Sequence, residues 1–271
     1  SSIPSLETFK NILDKKYKRK IIKTRFNEFP LPETKIVNLN IGEMKNKLIA
    51  DETLETVKNY LATGNQILFF MNRRGHSPYL ICKKCNFKQT CPNCSIYLTY
   101  HKKKDFLVCH YCSHTQKKEK KCNTDNKKCE FLMYGPGVEK VYEEVKKNFP
   151  KLKVKIFSSD YIADKNNKDL IEQIEKNKID ILVGTQMISK GYNFPKLNCI
   201  VVIDCDFNGK GYDLRTIEKN LQLYNQLSGR AGRFSKKSII IYQTFSPESK
   251  TLDKVIRNEP EKFLMEELEL R

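Results

Sequence analysis

No apolar run in this chain of 271 residues approaches membrane-spanning length, and no basic–apolar–small-residue pattern opens it as a secretory leader would. A membrane partner is therefore not expected. A cytoplasmic location, the nucleoid included, is. Without a secretory leader, the ten cysteines argue against a disulfide scaffold. No C-x-x-C is followed by histidine, which excludes covalent haem attachment. There is no internal repeat of the solenoid type. There is also no G-x-x-x-x-G-K-[ST] loop, and the Asp51-Glu52 pair opens a helical pattern, so no Asp-Glu magnesium box is read. Lacking the lysine such a loop brings to nucleotide phosphates, the chain by itself is expected not to hydrolyse ATP. It opens Ser1-Ser2-Ile3-Pro4, with no methionine and no lead-in strand, as expected of a fragment cut inside a domain.

Acidic residues are the scarcer charge, 32 against 50 lysines and arginines, for a formal +18. A chain this basic fits a polyanionic partner. Lysine, asparagine and isoleucine abound throughout, so part of the charge is compositional background. Hydrophobic residues make up 39%, enough to build a core and too many for a disordered chain.

Periodicity then gives the fold class. Residues 10–34 are polar and basic, with Pro30 and Pro32, and read as an extended connector. Strands are expected at Lys35–Leu39, Gln66–Met71, Phe131–Tyr134, Val154–Phe157, Ile179–Val183, Ile200–Ile203 and Ile239–Thr244. Helices are expected at Asp51–Ala62, Val138–Phe149, Asp169–Lys176 and Leu214–Leu227, with two short ones at the end. In the first, Leu54, Val57 and Leu61 recur at helical spacing and Gly64 sits where the helix stops. Strands alternating with helices make an α/β protein: a mostly parallel sheet covered on both faces. Cys199 and Cys205 flank the apolar run Ile200–Ile203 and read as core residues.

The other eight cysteines crowd into residues 82–129. Three C-x₂-C pairs, Cys82/Cys85, Cys91/Cys94 and Cys109/Cys112, are followed by Cys122 and Cys129. Thiolates two residues apart grip one tetrahedral ion from a tight turn, and two such knuckles complete a structural zinc site. Eight cysteines therefore suit two zinc ions. An iron–sulfur cluster also takes four thiolates, but the even pairing favours zinc. His101, His110 and His114 read as surface residues beside this surplus of thiols. Spacing alone does not say which cysteines pair. Twelve lysines against three acidic residues make the stretch basic, and Tyr97, Tyr100, Phe106 and Tyr111 add stacking surfaces suited to single strands.

Two further stretches carry phosphate chemistry. In Gln226-Leu-Ser-Gly-Arg230-Ala-Gly-Arg233, two arginines stand three residues apart among small residues. An amphipathic helix leads in and a β-branched strand leads out. Guanidinium forks donate paired hydrogen bonds to phosphate and stay charged. In Asp180-Ile-Leu-Val-Gly184-Thr185-Gln186, an apolar strand ends on a threonine whose hydroxyl and backbone N–H suit a nucleic-acid phosphate. The plainer readings are a solvated basic helix end and an ordinary strand-to-loop turn. Asp213 and the Arg215–Glu218 pair read as helix cap and i,i+3 support. Gly135-Pro136-Gly137 is a weak anion-site pattern.

The octet Gln226–Arg233 resembles the last motif of superfamily-two helicases. Thr185 through Lys190-Gly191-Tyr-Asn193-Phe-Pro195 resembles their fifth motif, and Asn72-Arg73-Arg74-Gly75 their fourth. With Ser2-Ile3-Pro4-Ser5-Leu6-Glu7 and the paired cysteines, the resemblance narrows to the primosomal replication-restart DNA helicases and covers nearly the whole chain.

That resemblance implies a RecA-like second lobe (35–81 and 130–271), a zinc-binding insertion (82–129), and the end of a first lobe with its connector (1–34). It implies an ATP-dependent helicase as part of a longer protein, using ATP and Mg²⁺. Partners would be single-stranded and forked DNA, and other primosome or single-strand-binding proteins. Arg230 and Arg233 take catalytic roles at ATP, beside Gly191, Asn193 and Gln226. Arg73, Arg74, Thr185 and Gln186 take DNA. The inner zinc site becomes Cys91, Cys94, Cys109 and Cys112. The outer becomes Cys82, Cys85, Cys122 and either Cys129 or Asp125, with Cys129 preferred as the softer ligand. Ile3, Asn193 and Asp125 depart from the family pattern. A second reading, of another class, is a non-enzymatic zinc-dependent module for DNA binding or protein docking, left by a degenerate helicase.

Overall fold

The structure is a computed structural model. It describes residues 3–22, 29–40, 47–71, 79–82, 87, 89–93, 98–101, 105–109, 112–118, 130–134, 137–158, 169–186, 192, 194–203, 205, 216–235, 237–248, 250–257 and 259–269.

Six strands form one parallel sheet: β1 (Glu33–Asn38), β2 (Gln66–Phe70), β8 (Val154–Phe157), β9 (Ile181–Gly184), β10 (Leu197–Val202) and β11 (Ile239–Thr244). Their order is β1-β11-β10-β2-β9-β8. Every residue of β2, β10 and β11 is buried, whereas the edge strands β1 and β8 expose residues. A central parallel strand is covered on both faces, which is why these three read as unbroken apolar runs.

Alternation divides the side chains between two cores. One face carries Leu68, Phe70, Leu182, Ile200 and Ile240. It packs against helices α4 (Leu170–Glu175), α5 (Thr216–Ser228) and α6 (Lys250–Arg257). The other carries Ile67, Phe69, Ile181, Val183, Val201 and Ile241 against α2 (Asp51–Ala62) and α3 (Val138–Asn148). Each such side chain removed from water contributes about 1.5–3 kcal/mol. The parallel α/β class is as the sequence implies.

The helix at Asp51–Ala62 has the bounds the periodicity gives it. Its cap does not come from a side chain of its own. The Ala50 N–H donates to Gln243 Oε1 at 2.9 Å, while Glu144 of α3 accepts from the Leu48 and Ile49 N–H groups at 2.8–2.9 Å. Past the helix, Gly64 takes φ +74°, a left-handed turn that glycine adopts freely.

Residues 10–13 correct the extended-connector reading. They finish a helix, α1 (Leu6–Leu13), capped by Ser5, whose Oγ accepts from the Thr8 N–H at 3.2 Å. Its polar residues lie on the outer side. Ile3, Leu6 and Phe9 pack on Leu221 of α5 and on Phe263 and Leu264 of α7 (Pro260–Glu269).

Phe131–Tyr134 is a strand (β7) as expected, but it lies outside the parallel sheet. It pairs antiparallel with β3 (Tyr79–Cys82). Between them a three-stranded antiparallel sheet forms from β4 (Thr99–His101), β5 (Phe106–Val108) and β6 (Thr115–Lys117). Leu80, Leu98, Leu107, Cys91 and Cys109 share a small core there, with Phe131 against it.

Candidate functional site

Cys91, Cys109 and Cys112 bring their sulfurs within 4.8 Å of one another. Cys91 and Cys112 stand 3.6 Å apart, too far for a disulfide and close to the roughly 3.8 Å edge of a tetrahedron with ~2.3 Å metal–sulfur bonds. The knuckle is built by its backbone. The Cys112 N–H points at Cys109 Sγ (3.4 Å), and Ser113, with φ +60°, donates its N–H to the Cys109 carbonyl at 2.9 Å. The Cys109 N–H in turn donates to the His114 carbonyl at 2.8 Å, which leads the chain into β6. Asn93 Nδ2 approaches Cys112 Sγ at 3.9 Å, a contact the cysteine spacing did not reveal.

Soft donors at this separation, turned inward and steadied by N–H groups, fit a structural zinc site. When bound, the ion ties the Cys91 turn to the β5–β6 hairpin. These are three of the four cysteines assigned to the inner site. Cys94 lies outside the described residues, as do Cys85, Cys122, Asp125 and Cys129 of the outer set. Cys82, the described member of that set, ends β3 and is buried. Cys199 behaves differently. It is fully buried in the sheet, and burial pushes its thiol up to about 12, so it stays protonated and inert.

The arginine loop leaves α5 at Ser228 and re-enters the sheet at Ile239. It sits at the amino edge of the sheet: the Gly232 N–H donates to the carbonyl of Leu197, the first residue of β10, at 3.1 Å. Gly232 takes φ +65°, and a Cβ there would lie 2.8 Å from Ser238 Cβ. Arg230 Nη1 donates to the Tyr192 carbonyl at 3.0 Å. Arg233 Nε donates to the Gly229 carbonyl at 3.1 Å, among the carbonyls that the helix end leaves open. Both side chains are half-buried. Burial, then the neighbouring charge of Arg233, lowers the Arg230 pKa, although a guanidinium remains charged at neutral pH. A nearby anion would offset both effects by its attraction for the guanidinium. Gln226 is exposed on the last turn of α5.

Thr185 stands at the opposite, carboxyl edge, directly after β9. It is buried, and its N–H donates to the Phe157 carbonyl at 3.3 Å. That bond gives the Thr185 N–H a partner within the sheet. Gln186 follows, half-buried. From Gly184 to Leu197 the chain passes from one edge to the other. Within it, Tyr192 and Phe194 pack edge-on against Phe157 at ring separations of 5.3 and 5.9 Å. The Tyr192 carbonyl that anchors Arg230 thus belongs to the connection that begins at Thr185, a link invisible in the sequence. Arg73, Arg74, Gly191, Asn193, Asp213, Arg215, Gly135 and Pro136 lie outside the described residues. Glu218, read as partner to Arg215, accepts from the Leu6 N–H at 3.4 Å, joining α5 to the start of α1.

Two families match. The helicase conserved C-terminal domain covers residues 116–235, and the PriA DNA helicase Cys-rich region, a zinc ribbon, covers residues 91–117. The two matches adjoin, so the chain resembles a helicase carboxy-terminal domain carrying a cysteine-rich module.

Similarity to known proteins narrows this further. Across 100% of its length the chain is 36% identical to the replication restart protein PriA of Rickettsia felis, covering 42% of that protein. It is 35% identical to that of Borreliella burgdorferi over 100% of the chain and 40% of the relative. It is 32% identical to that of Bacillus subtilis over 99% and 34%. Over its whole length the chain is similar to the PriA replication-restart proteins. It spans about two-fifths of the length of the first of these relatives. Among solved structures, RecG bound to a three-way DNA junction aligns over 90% of this chain and 22% of its own, with 14% identity and a TM-score of 0.46. No helix among the described residues is long and apolar enough to cross a membrane.

Proposed function

We propose that this chain works as the second motor lobe and zinc module of an ATP-dependent DNA helicase acting in primosome assembly and replication restart. The observation that carries the reading is the arginine loop. Arg230 and Arg233 are half-buried, each tied to a main-chain carbonyl, on the sheet edge opposite Thr185. Two guanidinium groups fixed in this way suit the charge that develops on a transferring phosphoryl group.

In this reading Arg230 and Arg233 are catalytic. Gln226, Gly191 and Asn193 line the nucleotide beside them. Thr185, Gln186, Arg73 and Arg74 hold the DNA backbone. ATP and Mg²⁺ bind mainly to a further lobe in a longer polypeptide, which the greater length of the relatives supports. Zinc occupies two sites: Cys91, Cys94, Cys109 and Cys112 hold one ion, and Cys82, Cys85, Cys122 and Cys129 the other. The insertion runs over 82–129, with β3 and β7 as its antiparallel stem. Residues 1–34 are the end of the first lobe with its connector, and 35–81 with 130–271 form the second lobe. The partners are single-stranded and forked DNA and other primosome or single-strand-binding proteins, in the cytoplasm at the nucleoid.

The test is DNA-stimulated ATP hydrolysis and fork unwinding by the whole natural protein, with this 271-residue piece alone as a control. The whole protein is expected to turn over ATP and unwind, and the piece to do neither. Zinc and DNA binding by the whole protein without any ATP turnover would replace this reading with the non-enzymatic module.

A further inference from the structure

The amino edge of the outermost strand carries a feature that none of these roles uses. An open hollow of about 470 Å³ lies between the end of α3, the start of β8 and the turn after α4. Lys146, Lys151, Lys153, Lys155 and Lys178 line it, and no acidic residue does among the described residues. Lys151, Lys153, Lys155 and Lys178 are exposed. This is the far end of the sheet from β1 and β11, and the opposite edge from Thr185.

The plain account is that these lysines neutralise helix ends and one carboxylate. The magnitudes do not balance. α3 and α4 both end here, and each carbonyl end carries at most about half a negative charge. Asp180 adds one more; it accepts the Lys153 N–H at 2.8 Å. Lys146 is spent in part on the Leu152 carbonyl at 3.0 Å. Five ammonium groups against about two negative charges leave a surplus of roughly +3. The rim is also tied to the sheet, because the Asp180 and Ile181 N–H groups both donate to the Lys153 carbonyl, at 3.1 and 3.2 Å.

We propose that this lysine hollow is a second nucleic-acid contact, gripping the phosphodiester backbone without reading sequence. All five cations are lysines. They are point charges on flexible stems, suited to a line of phosphates, and they lack the planar fork that fixes a single carboxylate. Among the described residues, edge strand β8 has no neighbour on its outer side within the sheet. The inference rests on the reading that the protein acts on DNA, and adds a surface to it.

The test is fluorescence anisotropy with mixed-sequence single-stranded and duplex oligonucleotides across a salt series, using the whole protein. Lys151, Lys153 and Lys178 are changed together to Gln. A control changes Lys58, Lys237 and Lys262 to Gln, removing equal charge elsewhere. Each lost phosphate contact lowers the salt slope by roughly 0.7 on single strands and 0.9 on duplex. The hollow variant should therefore lose up to about two units of slope on single strands and nearly three on duplex, and at least about tenfold in affinity at ~0.1 M salt, with the control close to wild type. Equal behaviour of the two variants, against a wild type that binds, overturns this proposal alone. A wild type that does not bind DNA overturns the helicase reading instead. Unchanged DNA binding with selective loss of an oligoglutamate probe would make the hollow a peptide dock and also overturn it.

Discussion

Arg230 donates to the carbonyl of Tyr192 at 3.0 Å, across 38 residues of sequence. The bond joins the loop that bears both arginines to the connection that starts at Thr185. One side chain therefore ties the arginine loop to the segment that runs between the two sheet edges.

In the whole protein, Arg230→Ala and Arg233→Ala are each expected to lower kcat for DNA-stimulated ATP hydrolysis by about 10³, with DNA affinity within about twofold. Arg230→Lys should not restore the rate, since an ammonium lacks the two-pronged geometry. Steady-state kinetics beside a DNA-binding isotherm checks this. Loss of DNA binding with unchanged ATP turnover would remove the arginines from the nucleotide site.

Gly232→Ala is expected to destabilise the fold, and Gly229→Ala to be tolerated. At Gly232 the left-handed φ of +65° costs a side chain about 1–2 kcal/mol, and Ser238 Cβ lies 2.8 Å from where the new carbon falls. At Gly229 the nearest atoms are 3.4 and 3.5 Å away, an ordinary contact. Chemical denaturation of both variants gives the answer. Equal midpoints would mean that the loop relaxes around Gly232.

Much of this architecture is readable because apolar burial wrote it. Phe131–Tyr134, Val154–Phe157 and Ile239–Thr244 are strands at their expected bounds, since there the apolar run and the strand coincide. β10 begins at Leu197, ahead of the expected Ile200, because Asn198 interrupts the apolar run. Buried in the sheet, Asn198 donates to Asn65 Oδ1 at 2.6 Å. The ribbon strands β4 to β6 were not legible. They are three residues long and include Thr99, His101 and Lys117, held by hairpin pairing and the thiol cluster and not by a run of apolar residues. At the site, the arginines and cysteines were legible as types. Their anchors at Tyr192, Gly229 and the Cys112 N–H were not, because a main-chain group carries no sequence signature.

Metal analysis separates the two cysteine classes. The whole protein is expected to hold two zinc ions. Cys109→Ser and Cys82→Ser should each cost one, and Cys199→Ser none. Chelation should strip hydrogen-exchange protection from residues 98–117 and leave that of β2, β10 and β11. After chelation a thiol reagent should label Cys91, Cys109 and Cys112 but not Cys199, whose buried thiol is pushed up to about 12. One zinc in the wild type would eliminate the outer site.

Glu144 supplies a pH signature. Burial raises its carboxyl above the ordinary range, while the Leu48 and Ile49 N–H groups and the charges of Lys147 and Lys47 pull it down. The net direction is upward, so the folded state holds this proton more tightly than the unfolded chain. Its contribution to stability is complete below the ordinary carboxylate pKa and is lost as pH rises through the raised value. Glu144→Gln keeps an acceptor for both N–H groups and removes the ionisation. Its stability relative to wild type should therefore improve between about pH 4 and pH 7. Glu144→Ala leaves the Leu48 and Ile49 donors without that carboxylate and should cost roughly 1–3 kcal/mol at either pH. Denaturant midpoints of the three proteins at both pH values decide it. If the Gln variant fell further behind wild type as pH rose, the two N–H bonds would outweigh burial, and the carboxyl would sit below its ordinary range.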